Sequence, residues 1–411
     1  MKKNKRTDTQ KVWLTAALGA AAACGASAYE VPLSFLGTNM PPLEFHGFAS
    51  QGFLYSSDYN YLANDTKNGS FQFSEVGLNV SMNPFPRTRI TVQGFDYDVG
   101  NVGQYDPFLD YALVEYTFND EVGVRAGRIR RPSGIYNHIQ DVDLARTYVL
   151  LPQGVYDARF RDFTASLDGV DVFGDISLGK AGSLAYETYA GMVSMAGNSG
   201  MARYIQNNLP PTPVGQFNSI DSTPVMGGQL WWNTPLNGLR AGASFAYLSN
   251  FGYHVNVMQP YGPGAMHCVG NVPIQQYSLE YIWKDWTFQA EYYTYDFTGH
   301  FYVPAYGNLS VGANWDNPDA WYFGVSHRFN KLIEAGAYYT QFHIRPKNPI
   351  PCSFQNDAAL SLRFDIKDWW IFKVEGHYIQ GTALLRDNAD NSNLGSDRGW
   401  FMLAVKTTFS F

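Results

Sequence analysis

From residue 43 to its end the chain repeats one pattern: segments of roughly ten to thirteen residues with two-residue alternation, joined by connections that are in turn very short and long. Alternation of this kind sends successive side chains to opposite faces of a strand. The last segment is the clearest. Phe401, Leu403, Val405, Thr407, Phe409 and Phe411 share one parity, and Trp400, Met402, Ala404, Lys406 and Ser410 share the other. The segment before it sets Trp370, Phe372, Val374 and Tyr378 against Lys373, Glu375 and His377. One apolar face and one mixed face suit a strand with lipid on one side and a polar lumen on the other.

Sixteen such segments are predicted, at about 43–55, 70–82, 88–98, 108–118, 122–130, 164–178, 183–194, 224–233, 239–250, 274–283, 286–297, 319–329, 332–344, 356–366, 369–380 and 399–411. The expected fold is all-β: a transmembrane, antiparallel, up-and-down β-barrel. Seven connections are turn-like, among them Asn83-Pro84-Phe85-Pro86-Arg87, Asn119-Asp120, Pro235-Leu236-Asn237-Gly238 and Lys367-Asp368, and these should face the periplasm. The eight others, near 56–69, 99–107, 131–163, 195–223, 251–273, 298–318, 345–355 and 381–398, are long and polar and should face outward. A soluble β-sandwich would also alternate, but it has no reason to keep all its long connections at one end. No internal stretch reaches the eighteen or so apolar residues that a membrane helix requires.

The first 28 residues read as a secretory signal peptide: a basic head of Lys2, Lys3, Lys5, Arg6 and Lys11, an apolar core from Val12 to Ala23, and a small-residue cleavage site at Ala26-Ser27-Ala28. The mature barrel then spans 29–411, and its formal charge moves from −7 to −11 as five bases and one acid are removed. An acidic exported protein is a poor nucleic-acid partner. Export leaves Cys268 and Cys352 in an oxidising compartment on long connections of one face, where they could form a disulfide.

Little in the sequence points to catalysis. The eight histidines, at 46, 138, 254, 267, 300, 327, 343 and 377, are scattered, and none has the paired spacing of a metal site. His267-Cys268 with His343 and Cys352 could bind a soft metal, and Asp141, Asp143, Asp168 and Asp171 could hold calcium, but a disulfide or separate thiols and solvated loop acids are the plainer accounts. No catalytic residue, metal or cofactor is expected. Tyr and Trp beside the short turns suit the lipid headgroup level, whereas Trp231, Tyr293, Tyr322 and Trp400 have the inward parity.

The rhythm of nearly the whole mature chain resembles the Gram-negative general porins. Two pieces carry the likeness most sharply. Phe409 and the terminal Phe411 look like the signal read by the outer-membrane barrel-assembly machinery, and Arg125-Ala126-Gly127-Arg128-Ile129-Arg130-Arg131-Pro132-Ser133-Gly134 is similar to the fifth strand and following loop of phosphate-selective-type and related trimeric porins. The resemblance implies an outer-membrane homotrimer in which the loop after the fifth strand, here 131–163, folds inward as a constriction for small hydrophilic solutes. Candidate constriction residues are Arg125, Arg131, Arg146, Arg159, Arg161, Asp141, Asp143 and Asp157.

Seven bases, Arg128 and Arg130 included, stand against Asp141, Asp143, Asp157 and Asp162 around that loop, so an anion-leaning pore is expected. Because Val122, Val124 and Ala126 take the lipid parity, Arg125 and Arg131 should point inward; Arg128 and Arg130 should not, unless the strand bulges or ends there. The alternative is that these arginines pair with the loop acids and merely hold the loop down. A different class of function, a barrel that serves as a scaffold or adhesin for a partner protein, predicts no conduction.

Overall fold

The computed structural model describes residues 29–31, 41–100, 102–209, 215–259, 262–303, 309–314, 317–345, 350–385 and 399–411. The proposed signal peptide lies outside the described residues. The chain forms a closed barrel of 16 antiparallel strands. In order they are β1 (Leu43–Ser56), β2 (Phe73–Phe85), β3 (Thr88–Val99), β4 (Phe108–Thr117), β5 (Gly123–Arg130), β6 (Ser166–Ser177), β7 (Ser183–Val193) and β8 (Thr223–Asn233). There follow β9 (Leu239–Gln259), β10 (Gly262–Trp283), β11 (Trp286–Tyr295), β12 (Asn317–Arg328), β13 (Ile333–Arg345), β14 (Phe354–Lys367), β15 (Trp370–Gly381) and β16 (Trp400–Ser410). Each predicted segment corresponds to one of these strands.

Closure comes from β16 pairing with β1 between Phe48↔Ser410 and Ser56↔Met402. It leaves no edge in lipid, where an unpaired backbone group would cost several kcal/mol. At the short-turn end of this seam Phe411 N–H donates to Gly47 O at 2.9 Å and Gly47 N–H to Phe411 O at 3.0 Å. A Cβ at position 47 would lie 2.6 Å from the Phe411 ring, so glycine there lets the terminal aromatic lie across the join.

The two faces invert the soluble arrangement. Val76, Leu78, Val114, Val170, Leu230, Leu279, Phe323, Leu360 and Phe401 are exposed on the outside, while Gln276, Ser278, Glu280, Gln289, Glu291, Lys373, Glu375 and His377 are buried inside. Trp232, Trp283, Trp286 and Trp369 are exposed beside the short turns, as suits a headgroup belt. Trp231, Tyr322 and Trp400 face inward as their parity predicts, but they are buried in packed clusters rather than lining an open path.

The long connections hold more structure than expected. β9 and β10 run for 21 and 22 residues and continue past the barrel rim as a hairpin, through a stretch read as loop at 251–273. Gly215–Ile220 pairs with its β9 side, and Thr298–Val303, itself paired with Leu309–Asn314, joins its β10 side. Asn250, at φ 55°, marks the register shift between Leu248 and Phe251 where the hairpin leaves the wall.

The disulfide expectation is corrected. Cys268 and Cys352 keep separate thiols. Cys268 is buried in an apolar cluster with Phe251, Tyr253 and Phe297, an environment that favours packing over exchange chemistry. His267 and Cys268 are successive residues of β10 and so point to opposite faces, which excludes them as ligands of one metal.

Candidate functional site

Residues 131–165 connect β5 to β6 and fold into the lumen, with short turns of 3₁₀-helix at Asn137–Ile139, Asp143–Ala145 and Ala158–Phe160. The loop is clasped at its root, because Asn137 Nδ2 donates to Arg131 O at 2.5 Å and to Thr164 O at 3.0 Å. From there it crosses the barrel and docks on two separate walls.

The first wall is β8 to β11. Ser133 Oγ donates to Gln276 Oε1 (2.6 Å), Gly134 N–H to Ser244 Oγ (3.1 Å) and Ile135 N–H to Glu291 Oε1 (2.9 Å). Gln229 Nε2 returns a bond to Gly134 O at 2.7 Å. Beneath these polar contacts Ile135, Tyr136, Leu151, Val155 and Tyr156 pack on Trp231 of this wall and on Ala320 and Tyr322 of the adjoining β12. Burying those side chains stabilises the dock by about 1.5–3 kcal/mol each.

The second wall is β13 to β16, and its dock is ionic. Asp143 accepts from Thr408 Oγ1 at 2.7 Å, from Lys406 Nζ at 2.8 Å and from Arg146 at 2.9 Å. Lys373 Nζ donates to the carbonyls of Asp143 (2.7 Å) and Tyr148 (3.0 Å), and Arg363 to that of Leu144 (2.7 Å). Glu375 in turn accepts from the N–H groups of Val149 at 3.0 Å and Leu150 at 2.9 Å. Every charge in this buried cluster therefore has a partner, which is the condition for keeping charges out of water. Lys373, Glu375, Lys406 and Arg363 were not among the candidate residues. Their signal was present as charged residues at the inward parity of long alternating strands.

A third cluster secures the return of the loop. Arg161 donates to Asp141 at 2.8 and 2.6 Å and to Asp110 at 2.9 Å, and Arg130 reaches Asp110 at 2.6 Å and also pairs with Asp141. The Arg161 guanidinium lies over the Phe95 ring, 4.0 Å from its centroid. Although burial pushes the Asp141 carboxyl up, Arg161 and Arg130 outweigh it and hold the group well below the usual carboxylate range. Parity would have turned Arg130 away from the lumen. β5 ends at Arg130, which frees its side chain from the alternation, and the partner it meets is turned inward by a bulge: the β3–β4 register shifts between Gln93 and Gly94, so Asp110 is inserted between Leu109 and Tyr111.

The remaining candidates are also paired. Arg125 stands on the β5 wall, bonded to Glu115 at 2.7 Å and to Asp171 and Glu187 at 3.3 Å. Arg159 pairs with Asp157 and donates to Leu384 O at 2.9 Å. Asp168, once a candidate calcium ligand, meets Arg128 at 3.3 Å. Arg131 differs. It is 2% exposed, its Nε and Nη1 have no hydrogen-bond partner, and among the described residues no carboxylate pairs with it. It borders a cavity of about 100 Å³ together with Phe163, Phe251, Gln276 and Tyr293, large enough for several waters.

On the β14–β15 wall His377 sits between Asp357 (3.0 Å) and Glu375 (3.1 Å), and Ser361 donates to Glu375 rather than to the imidazole. Ser361, Glu375, His377 and Asp357 thus form one buried hydrogen-bonded chain on this wall.

No protein-family model matches the sequence, and no curated protein matches it. Solved structures do. OmpF of Salmonella typhi, in complex with daunomycin, is 11% identical with a TM-score of 0.56, over 93% of this chain and 100% of that one. The anion-selective porin of Comamonas acidovorans is 10% identical, TM-score 0.53, over 90% and 99%. The outer membrane channel DcaP of Acinetobacter baumannii is 9% identical, TM-score 0.53, over 90% and 97%. At such identities the likeness carries the fold alone: this chain is a closed 16-stranded antiparallel β-barrel with the fold seen in these outer-membrane porins.

Proposed function

We propose that this barrel is a channel through which small hydrophilic anions diffuse, that residues 131–163 form its constriction, and that Arg131 sets its preference. The observation that carries this reading is the difference between Arg131 and its neighbours. Arg125, Arg130, Arg146, Arg159 and Arg161 are each matched by a carboxylate. The Arg131 guanidinium is buried beside a cavity with no such match. In a narrow passage with low-dielectric walls, selectivity follows the few uncompensated charges and not the acidic total.

The test is the zero-current potential of single channels in a planar bilayer under a salt gradient. The native pore should prefer anions, Arg131→Gln should lower the anion-to-cation permeability ratio several-fold, and Arg125→Gln should change it little. A cation-selective native pore sinks the assignment of Arg131. A folded barrel with no conductance at all favours the scaffold or adhesin instead, a reading that gains some support from a loop docked on both walls.

Association into a homotrimer belongs to the same proposal. β4 and β5 are only 10 and 8 residues long. At about 3.3 Å per residue and a tilt near 40°, eight residues rise about 20 Å, less than the ~25 Å apolar band of such barrels. A neighbouring protomer would shield this low stretch of wall from lipid. The mature protein in mild detergent should therefore have three times the protomer mass by light scattering, and a monomeric mass would remove the trimer from the proposal.

A further inference from the structure

We infer that Asp221, His254 and His267 form a Zn²⁺ site on the outer surface of the β9–β10 hairpin, above the long-connection rim of the barrel. His254 and His267 are directly opposed in the β9–β10 ladder. Their rings stack 4.1 Å apart and 4° from parallel. Asp221, just past the strand Gly215–Ile220 that pairs with β9, presents one oxygen to each ring: Oδ1 lies 3.3 Å from His254 Nε2 and Oδ2 lies 3.0 Å from His267 Nε2. All three ligand atoms fall within 4.8 Å of one another.

These separations suit a metal. In a tetrahedral zinc site with bonds of about 2.0–2.1 Å, neighbouring donor atoms stand about 3.3 Å apart. Two imidazoles and one carboxylate leave the fourth position to water; to aim both in-plane Nε2 lone pairs at one ion the stacked rings must open by several tens of degrees, a rotation that their solvent-exposed edges leave room for. The surroundings keep that space open. Asp221 N–H donates to Gly252 O at 2.8 Å, which ties the acid to the hairpin. A Cβ on Gly252 would sit 2.4 Å from Asp221 Oδ2 and 3.1 Å from His267 Nε2. Glycine is thus the residue that allows the three donors to converge. Each side chain is one-third to two-fifths exposed, so an ion from solution can reach them. Cys268 cannot contribute, since it points to the other face of the sheet.

The experiment uses the mature, tag-free barrel folded in detergent. Calorimetric titration with Zn²⁺ should show one equivalent bound with a low-micromolar Kd. Titration with Co²⁺ should give the visible band of a four-coordinate ion without a thiolate charge-transfer band. His254→Ala, His267→Ala and Asp221→Asn should each weaken Zn²⁺ binding at least tenfold, Gly252→Ala should also weaken it, and His46→Ala, at the opposite end of the barrel, should leave it unchanged. Heat-modifiable migration in gels checks that each variant is folded. Zn²⁺ binding no tighter than millimolar in the native barrel, equal affinity in the His254 and His267 variants, or a thiolate band with Co²⁺ would each overturn the site.

Discussion

Asp143→Asn is expected to free the middle of the loop from the β13–β16 wall and to raise single-channel conductance several-fold. Asp143, Lys373 and Lys406 are each no more than 1% exposed. The carboxylate is the anion that compensates Lys406 at 2.8 Å and Arg146 at 2.9 Å, with Lys373 at 3.8 Å. Removing one member of a buried ion cluster costs about 3–5 kcal/mol, because the charges left behind remain out of water without compensation. The system can relax by letting the loop swing away so that water reaches the lysines. The barrel wall keeps its ladder, so the temperature at which the heat-modifiable band disappears should hardly move. A variant with native conductance would show that the ionic dock does not hold the loop.

Acid should not substitute for this mutation over the ordinary range. Burial alone would push the Asp143 carboxyl up, but Lys406, Lys373 and Arg146 together outweigh it and hold the group well below the usual carboxylate range. A carboxyl depressed in the folded state contributes stability that is fully present above its unfolded value, near ~3.9, and lost as pH falls through the folded value. Native conductance should therefore stay flat from neutral pH to about 4 and rise only below that, while Asp143→Asn is already open at pH 7. An increase that begins near pH 6 would contradict the assignment.

The barrel was legible because lipid imposes one rule on every strand, an apolar residue at each outward position, and that rule leaves a visible period. Above the rim the rule lapses. His254 and His267 stand where Phe245 and Tyr277 stand lower on the same strands, so the hairpin read as loop although its ladder resumes directly after the single register shift between Leu248 and Phe251. The same lapse hid the histidine pair, whose members lie on the two arms of one hairpin and are adjacent only through its register. Around the loop, composition showed how many charges were present but not how they pair. Pairing depends on Asp110, turned inward by a one-residue bulge, and on Lys373, Glu375 and Lys406, supplied by strands more than two hundred residues away. The distinct position of Arg131 likewise became visible only once the partners of the other arginines were known.

Gly134→Val should have the second largest effect, and its signature should differ from that of Asp143→Asn. Gly134 adopts φ +58°, and a Cβ there would lie 2.1 Å from Gln276 Nε2 and 2.4 Å from the Tyr156 hydroxyl. Those atoms are ends of side chains, but neither is free to retreat. Gln276 also accepts from Ser133 at 2.6 Å and donates to Glu291 at 3.1 Å, and the Tyr156 hydroxyl bonds Glu291. A β-branched residue in the left-handed region costs roughly 1–2 kcal/mol, and each displaced hydrogen bond adds about 1 kcal/mol more. The turn should therefore lift from the β8–β11 wall. Arg131 lies three residues earlier, so its guanidinium moves with that turn, and anion preference should fall as conductance rises. Asp143→Asn removes a negative charge and leaves the root of the loop in place, so there the preference should persist or increase. If zero-current potentials show the two variants shifting selectivity in the same direction, the division of the loop into a selectivity end and an ionic anchor is wrong. If Gly134→Val conducts and selects as the native pore does, the first wall does not position Arg131.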